Sequence, residues 1–440
     1  MSDTIAAVAT GTGAPSGINI IRISGPQAAA TVAKIFATRL LPDGFCSAEP
    51  NKMYLGVVSG NEIKEKAFCV YYKAPKSYTG EDVAEIHCHG GIAVTREVLR
   101  MVLENGARLA EAGEFTKRAF LNDKLTLAAA EGVADMINAE TVGQVKNAYK
   151  LMSGQLTEGI AKAEETLFDA AAYLEVKMDY PDELEEDVKP WARKKIDEAI
   201  AETERLLEGS KNSKIIRSGI DVAIIGSPNV GKSSLLNAIL QEDRAIVTPK
   251  AGTTRDVIRE SVEYDGIKLN FLDTAGIRES EDDVERAGIE RSKKAVKTAD
   301  VVIWVKDLSQ EKDEDFSDLL TDQKVVVVGN KSDLAVRDTD GICVCAATGE
   351  NVEKVLRAVV DQCVCDRSAI DGIVTNERHV SALRECREHL AAAKENYDVV
   401  PTECTVVDLY AAAEALGKIT GNSASDEVID SIFKKFCVGK

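Results

Sequence analysis

The sequence predicts a multidomain chain of mixed α/β and α+β class, with an α+β unit first, a helical unit in two separated segments, and a doubly wound α/β unit inserted between them. Three observations predict it. Short apolar runs fill residues 1 to about 120. From about Leu127 the apolar residues take up the spacing of a long amphipathic helix. From near Ile215 to near residue 365, four apolar strands alternate with helical stretches, and the first runs into Gly-Ser-Pro-Asn-Val-Gly-Lys-Ser-Ser at 226–234.

The elements follow in order. Ile18 to Ile23, Cys69 to Tyr72 and Val83 to Cys88 read as strands, and the first unit is expected to carry two helices. One of these spans Ile92 to Asn105 and is closed by Gly106. Leu156, Ile160, Ala163, Leu167, Ala170 and Leu174 recur at spacings of four and three, which is one face of a helix. Pro181 stops it, and the acidic run 182–187 reads as a solvated loop. Another helix is expected from about Trp191 to Leu207. Strands are expected at 220–225, 267–272, 300–305, 324–329 and 341–345, and the tail from about Asn376 to Lys440 reads as helical. The expected domains are 1–120, 121–215, 216–370 and 371–440.

A chain of 440 residues accommodates two to four domains, and 45% hydrophobic content supports real cores. Net charge is −19, from 54 basic and 73 acidic residues. That balance argues against a general nucleic-acid binder, which needs clustered lysine and arginine. Any RNA contact is left to a local patch or to a partner protein. Ten cysteines form no C-x-x-C, and the pairs Cys343/Cys345 and Cys363/Cys365 lie in apolar stretches, where they read as small buried thiols. No apolar run reaches the roughly 18 residues of a membrane span, and Met1-Ser2-Asp3-Thr4 lacks a basic start. A reducing, cytoplasmic location without membrane attachment is the expectation.

The 226–234 stretch fits G-x-x-x-x-G-K-[ST] and sits between a strand and a helix, as a phosphate-binding loop must. Gly226 and Gly231 let backbone N–H groups turn inward as an anion nest, and the helix start adds its positive end. Asn229, Val230, Gly231, Lys232, Ser233 and Ser234 are thus expected around nucleotide phosphates. Lys232 reaches the β- and γ-phosphates, and Ser233 ligates Mg²⁺. Four further motifs follow in order. Gly252-Thr253-Thr254-Arg255-Asp256 supplies Thr254 as a second Mg²⁺ ligand. Asp273-Thr274-Ala275-Gly276 places Asp273 near the metal and Gly276 near the γ-phosphate. Asn330-Lys331-Ser332-Asp333 selects the base: Asp333 accepts both donors on the edge of guanine, which adenine lacks, while Lys331 lies along the base plane. Cys345-Ala346-Ala347 matches the usual Ser-Ala-x loop behind the base, with Cys in place of Ser. Each motif alone is weak; in order and at strand ends they predict a GTP-binding domain.

The hydrolysis machinery departs from Ras-like domains. Ile277 stands where those domains carry a water-positioning glutamine, and it cannot hydrogen-bond. Carboxylates at 281–285 lie just downstream. Arg255 and Arg278 either stabilise transferred charge or face solvent. Asn229, with carbonyls of the 248–253 loop, offers a third route, a monovalent cation where an arginine finger stands. His87 and His89 share one strand face, but with no third ligand nearby they read as polar packing rather than a metal site.

Residues 113–125 read Gly-Glu-Phe-Thr-Lys-Arg-Ala-Phe-Leu-Asn-Asp-Lys-Leu, and the chain ends Cys437-Val438-Gly439-Lys440. With Thr79-Gly80-Glu81-Asp82, Asp283-Val284-Glu285-Arg286 and the inserted α/β unit, the whole chain closely resembles the MnmE (TrmE) family of tRNA-modifying GTPases. The resemblance implies a Ras-like P-loop GTPase domain whose potassium-dependent hydrolysis is driven by pairing of G domains. It implies potassium ligands at Asn229, Thr248, Lys250 and Thr253, and nucleotide contacts across Thr248, Pro249, Lys250, Ala251, Gly252, Thr253 and Thr254. Glu285 matches the family's water-orienting glutamate, which with Lys232 makes up the catalytic set. It implies an N-terminal domain resembling folate-binding domains that forms a homodimer and takes 5-formyltetrahydrofolate through Arg22, Glu85, Lys124 and Lys440. The family acts with the FAD-containing partner MnmG, as a heterotetramer, on C5 of the wobble uridine of certain tRNAs. Two departures stand out: residues 11–17 lack the family's usual proline-and-glycine run, and Ala112 replaces a proline. Cys437 reads as a pocket residue placed by the tail; a reactive thiol and a small buried residue are the other readings, and Gly439-Lys440 fits a prenylation box poorly. A ribosome-assembly GTPase shares G-x-P-N-V-G-K-S, but such proteins usually carry a basic RNA-binding module that this acidic chain lacks.

Overall fold

The computed structural model describes residues 3–11, 14–60, 63–180, 189–241, 260–272, 295–311, 314–320, 323–364 and 372–440. The chain divides into two compact units. One comprises Met1–Ala134, Leu151–Ala161 and Leu416–Lys440, and the other Asp135–Lys150 and Lys162–Ala415.

The first unit is built on a seven-stranded sheet. Its strands are β1 (Ile5–Val8), β2 (Ile18–Ser24), β3 (Phe36–Ala37), β4 (Met53–Ser59), β5 (Lys64–Tyr72), β6 (Val83–His89) and β7 (Arg108–Leu109). Their order is β3-β4-β5-β6-β2-β1-β7. All neighbours pair antiparallel except β1 with β7. Alternation then separates two faces. Ile21, Ile23, Cys69, Ala84 and Ile86 point into a core closed by the helices Ala28–Ala33 and Ile92–Glu104, with Val32, Val98 and Val102 fully buried. The opposite face carries the row Ala7, Arg22, Glu85 and Val70, placed side by side by register.

Two features of this unit differ from expectation. Among the described residues of 1–121 there are three α-helices where two were expected, because Ala28–Ala33 is too short to display a period and Glu114–Leu121 starts at Gly113 with no side-chain cap. The β4–β5 hairpin extends well beyond Cys69. In β4, Met53 and Leu55 stay about half exposed while Tyr54 and Val58 are buried, so apolar residues on both faces blur the alternation.

The C-terminal tail also departs from its helical expectation. The helix Asp426–Phe433 ends early, and Val438 pairs antiparallel with Ala112. Gly439 has φ +100°, and a Cβ there would lie 2.1 Å from the Val8 carbonyl oxygen. A helix cannot pass so close to a strand backbone; an extended glycine can.

The predicted helix face is observed. In the helix Gln155–Asp179, Leu156, Ile160, Leu167, Ala170 and Leu174 are all buried. In the second unit, Glu377–Asn396 packs along Lys189–Gly209, burying Ile196, Ala199, Leu383 and Leu390. Cys386 lies in that seam, and burial pushes its thiol up to about 12, which leaves it inert. Cys345 and Cys363 are buried as expected, but Cys343 is exposed. The two-residue strand at Cys343 is too short to cover it, and Cys365 lies outside the described residues.

The second unit holds a six-stranded sheet of β8 (Ile220–Ile225), β9 (Glu260–Tyr264), β10 (Ile267–Phe271), β11 (Val301–Asp307), β12 (Val325–Asn330) and β13 (Ile342–Cys343). The order is β13-β12-β11-β8-β10-β9, parallel except for β9. The sequence Glu260-Ser-Val-Glu-Tyr hides β9, because only Val262 is fully buried at this polar edge. Asp265 (φ +52°) and Gly266 (φ +77°) turn the β9–β10 hairpin. Helices Lys232–Gln241 and Val352–Cys363 bury Leu235, Leu236, Ile239, Val355, Leu356 and Val359 against the sheet. Each such side chain contributes roughly 1.5–3 kcal/mol, so the strand ends stand on a firm platform.

Candidate functional site

The phosphate loop leaves β8 at Gly226. A Cβ there would lie 2.3 Å from the Val305 carbonyl oxygen of the next strand, so only glycine lets the chain pass. Asn229 adopts the left-handed conformation (φ +61°) with its side chain exposed, and Val230 plugs inward beneath it. The helix starting at Lys232 then carries Ser233 and Ser234 in its first turn. Lys232 Nζ donates to the carbonyl oxygens of Gly226 and Ser227, both at 2.7 Å. Burial holds this ammonium below the ordinary lysine range, with Glu314 acting against it. The lysine is folded over its own loop, where an arriving phosphate exchanges two carbonyl partners for anionic oxygens.

The base end forms where β12 and β13 finish. Buried Asn330 donates through Nδ2 to the Val230 carbonyl at 2.9 Å and accepts from the Ala346 N–H at 3.0 Å. One amide thereby ties the phosphate loop to the loop of Ala346 and Ala347. Lys331 (φ +60°) donates to the Asn229 carbonyl at 3.0 Å and to Asp307 Oδ2 at 2.6 Å. Asp333 is exposed in a short turn over Ser332–Leu334. The Cys345 thiol lies 3.4 Å from Asp333 Oδ1, so the sulfur takes up the contact that a serine hydroxyl would make. Asn229 to Ser234, Asn330, Lys331, Asp333, Cys345, Ala346 and Ala347 thus gather at the carboxyl ends of parallel strands, where such folds bind ligands. The donor set fits a nucleotide with a divalent ion: loop N–H groups, an ammonium and a Ser233 hydroxyl at one end, an exposed carboxylate at the other. Thr248, Pro249, Lys250, Ala251, Gly252, Thr253, Thr254, Asp273, Thr274, Ala275, Gly276 and Glu285 lie outside the described residues, as do Arg255, Ile277, Arg278 and the run 182–187.

A second polar cluster lies on the other face of the first sheet. Arg22 Nε donates to Glu85 Oε1 at 2.8 Å across the β2–β6 pairing, and His87 Nε2 lies 3.2 Å from Glu85 Oε2. The guanidinium also stacks near the rings of Tyr78 (5.2 Å) and Phe115 (5.9 Å). Burial works to raise the Glu85 pKa, but His87 and Arg22 outweigh it and hold the carboxylate below its usual range. Lys124 packs its stem on Gly80, whose absent Cβ would lie 3.3 Å away. Lys440 closes the tail, its N–H on the Cys437 carbonyl at 3.4 Å, and Cys437 itself is exposed. His89 pairs with Glu65 at 2.5 Å, and no group of three metal-ligating side chains gathers among the described residues.

Sequence reasoning passed over the partners that join the specific motifs. Arg118 of Gly-Glu-Phe-Thr-Lys-Arg donates to Glu81 of Thr-Gly-Glu-Asp at 3.0 Å and to Glu114 at 2.9 Å. Ser24 links to Thr79 at 2.7 Å and to Glu81 at 2.8 Å. Two stretches distant in sequence are therefore one hydrogen-bonded corner beside Arg22. Their co-occurrence was the available signal.

The model of the GTP-binding protein TrmE N-terminus matches residues 4–124, and the model of the MnmE helical domain matches residues 127–437. The tRNA modification GTPase MnmE of Moorella thermoacetica is 41% identical over 466 residues, covering 100% of both chains. The chain belongs to the MnmE family of tRNA modification GTPases.

Its MnmE relatives from Carboxydothermus hydrogenoformans (40% identity, 100% of both chains) and Streptococcus sanguinis (39%, 100% of this chain and 99% of that one) match over the same extent. Among solved structures, Era in complex with MgGDPNP and a segment of 16S ribosomal RNA covers 38% of this chain and 65% of its own, at 25% identity and a TM-score of 0.26. As an MnmE-family member the chain is a GTPase, and GTP with Mg²⁺ is what that activity implies. Among the described residues no helix is long and apolar enough to cross a membrane.

Proposed function

We propose that this MnmE-family GTPase hydrolyses GTP in a potassium-dependent cycle driven by pairing of G domains, and that the cycle serves modification of C5 of the wobble uridine of certain tRNAs. In this reading residues 1–120 form a folate-binding and homodimerisation domain, 121–215 and 371–440 the helical domain, and 216–370 the G domain. The partner is the FAD-containing MnmG, in a cytoplasmic heterotetramer, and the tRNA is held largely by that partner, in keeping with a net charge of −19.

The observation that carries the reading is the corner at Asn229. It is an exposed amide in a left-handed loop position whose backbone carbonyl accepts from Lys331, three residues before Lys232. A monovalent cation shared by Asn229 with Thr248, Lys250 and Thr253 supplies positive charge where other GTPases use an arginine finger. Ser233 and Thr254 hold Mg²⁺, Lys232 orients the phosphates, and Glu285 positions the attacking water in place of Ile277. In the first unit, Arg22 and Glu85 offer a donor and an acceptor on one half-buried face, which suits the amino and carbonyl edges of a pterin. With Lys124 and Lys440 they are the proposed contacts of 5-formyltetrahydrofolate.

The test is GTP hydrolysis in KCl against NaCl at equal ionic strength, for the wild type and Glu285→Ala. Strong stimulation by potassium, lost in the variant, is expected. Equal rates in the two salts would remove the cation mechanism and leave a GTPase dependent on a partner's arginine.

A further inference from the structure

We propose that Asp307, at the end of β11, is a positioning residue of the nucleotide site: it holds Lys331 against the Asn229 carbonyl, so that the base-binding lysine and the corner of the phosphate loop are set as one unit. Asp307 belongs to none of the sequence motifs. It is nevertheless fully buried, and a buried carboxylate is tolerated only when each oxygen is satisfied. Here Oδ1 accepts from the Ser309 N–H at 2.9 Å and the Ser309 hydroxyl at 2.6 Å. Oδ2 accepts from Lys331 Nζ at 2.6 Å and Gln310 Nε2 at 3.3 Å. Burial opposes ionisation, and Lys331 with Ser309 outweighs it, so the carboxylate stays charged.

Lysine carries its charge on a flexible four-carbon stem that holds no orientation of its own. Two acceptors fix this one. Asp307 takes one proton of the ammonium and the Asn229 carbonyl takes another. The stem is thereby stretched between β11 and the phosphate loop. The same contact braces Asn229 in a backbone conformation that a residue other than glycine seldom adopts. Removing the Asp307 charge frees the ammonium, and base and phosphate recognition lose their common anchor.

The test uses the full-length protein with the near-isosteric change Asp307→Asn, and Ser309→Ala as a milder companion that removes one donor to the same carboxylate. GTP and GDP affinities are read by fluorescent-nucleotide titration, and hydrolysis is resolved into kcat and KM. The expected result for Asp307→Asn is a rise of about tenfold in Kd and KM for guanine nucleotides, the size of one lost charge-assisted hydrogen bond, with kcat falling far less. Ser309→Ala shifts the same way by about two- to threefold. The half-saturating potassium concentration also rises in Asp307→Asn, and this arm alone rests on the proposed cation site. Absence of potassium activation in the wild type defeats that reading and leaves the nucleotide affinities to judge Asp307. Unchanged affinity in folded Asp307→Asn overturns the inference, as does a fall in kcat at constant KM. Should Asp307→Asn not fold, unchanged affinity in Ser309→Ala overturns it equally.

Discussion

Changing Gly439 to alanine separates the two polar sites of this chain. Gly439 sits at φ +100°, where an alanine costs about 1–2 kcal/mol. The larger obstacle is steric. The added Cβ would lie 2.1 Å from the Val8 carbonyl oxygen and 3.0 Å from its carbon. Both atoms belong to backbone at the end of β1, which is paired to β2 and cannot step aside. Against this, the tail is held by its bridge to Ala112 and by the weak Gly113 N–H to Cys437 carbonyl contact at 3.5 Å. Hydrogen bonds of that kind return about 1 kcal/mol each. The clash wins, so the tail leaves its groove while the rest of the unit stays folded. The expected outcome is early release of the terminal residues by carboxypeptidase, loss of at least tenfold in formyl-tetrahydrofolate affinity, a small change in Tm, and unchanged GTP hydrolysis. Lys440→Ala serves as the comparison: under the proposed folate contact it should lose folate affinity without exposing the tail. Wild-type protection of the tail in Gly439→Ala would refute the steric argument, whatever the folate result.

Other outcomes follow from the nucleotide site. Lys232 lies below the ordinary lysine value of 10.5 before nucleotide arrives, and phosphates favour its charged form. Binding energy from this lysine is therefore fully present below its depressed pKa and is lost as pH rises through it. GTP affinity should fall in the alkaline range, starting below 10.5, when titrated with a fluorescent nucleotide; a flat profile up to that value contradicts the assigned role. Cys345→Ser replaces a weak thiol donor by a hydroxyl beside Asp333. GTP affinity should rise about two- to fivefold and should drop in Cys345→Ala; equal affinities in all three proteins would show that the thiol does not orient the carboxylate.

Much of the fold was legible because its requirements are local. A buried parallel strand must be apolar, so β8, β10, β11 and β12 appeared within one or two residues of their observed limits. A helix packed on one side must repeat its apolar residues, so Leu156 to Leu174 marked a real face. The elements that escaped lacked such a mark. Ala28–Ala33 is shorter than two turns, β4 is apolar on both faces, β9 is polar at a sheet edge, and the end of the chain adopts its shape only against β1.

The candidate site divides in the same way. A phosphate nest needs glycines and a lysine at set spacing along one turn of backbone, and guanine needs a carboxylate after a strand. These demands fall on consecutive residues, and the sequence by itself determined the nucleotide, the order of its motifs and the family. Tertiary structure alone decided which distant groups stand together. Arg22 meets Glu85 across 63 residues, Arg118 meets Glu81 across 37, and Lys331 reaches Asn229 across 102. Asp307 shows the difference most directly: in sequence it is one acid among 73, and only the parallel register of β11 beside β12 turns it toward Lys331. Spacing along the chain records what one turn of backbone requires. Contacts set by sheet register and loop closure depend on how separate segments pack, and no local pattern carries that information.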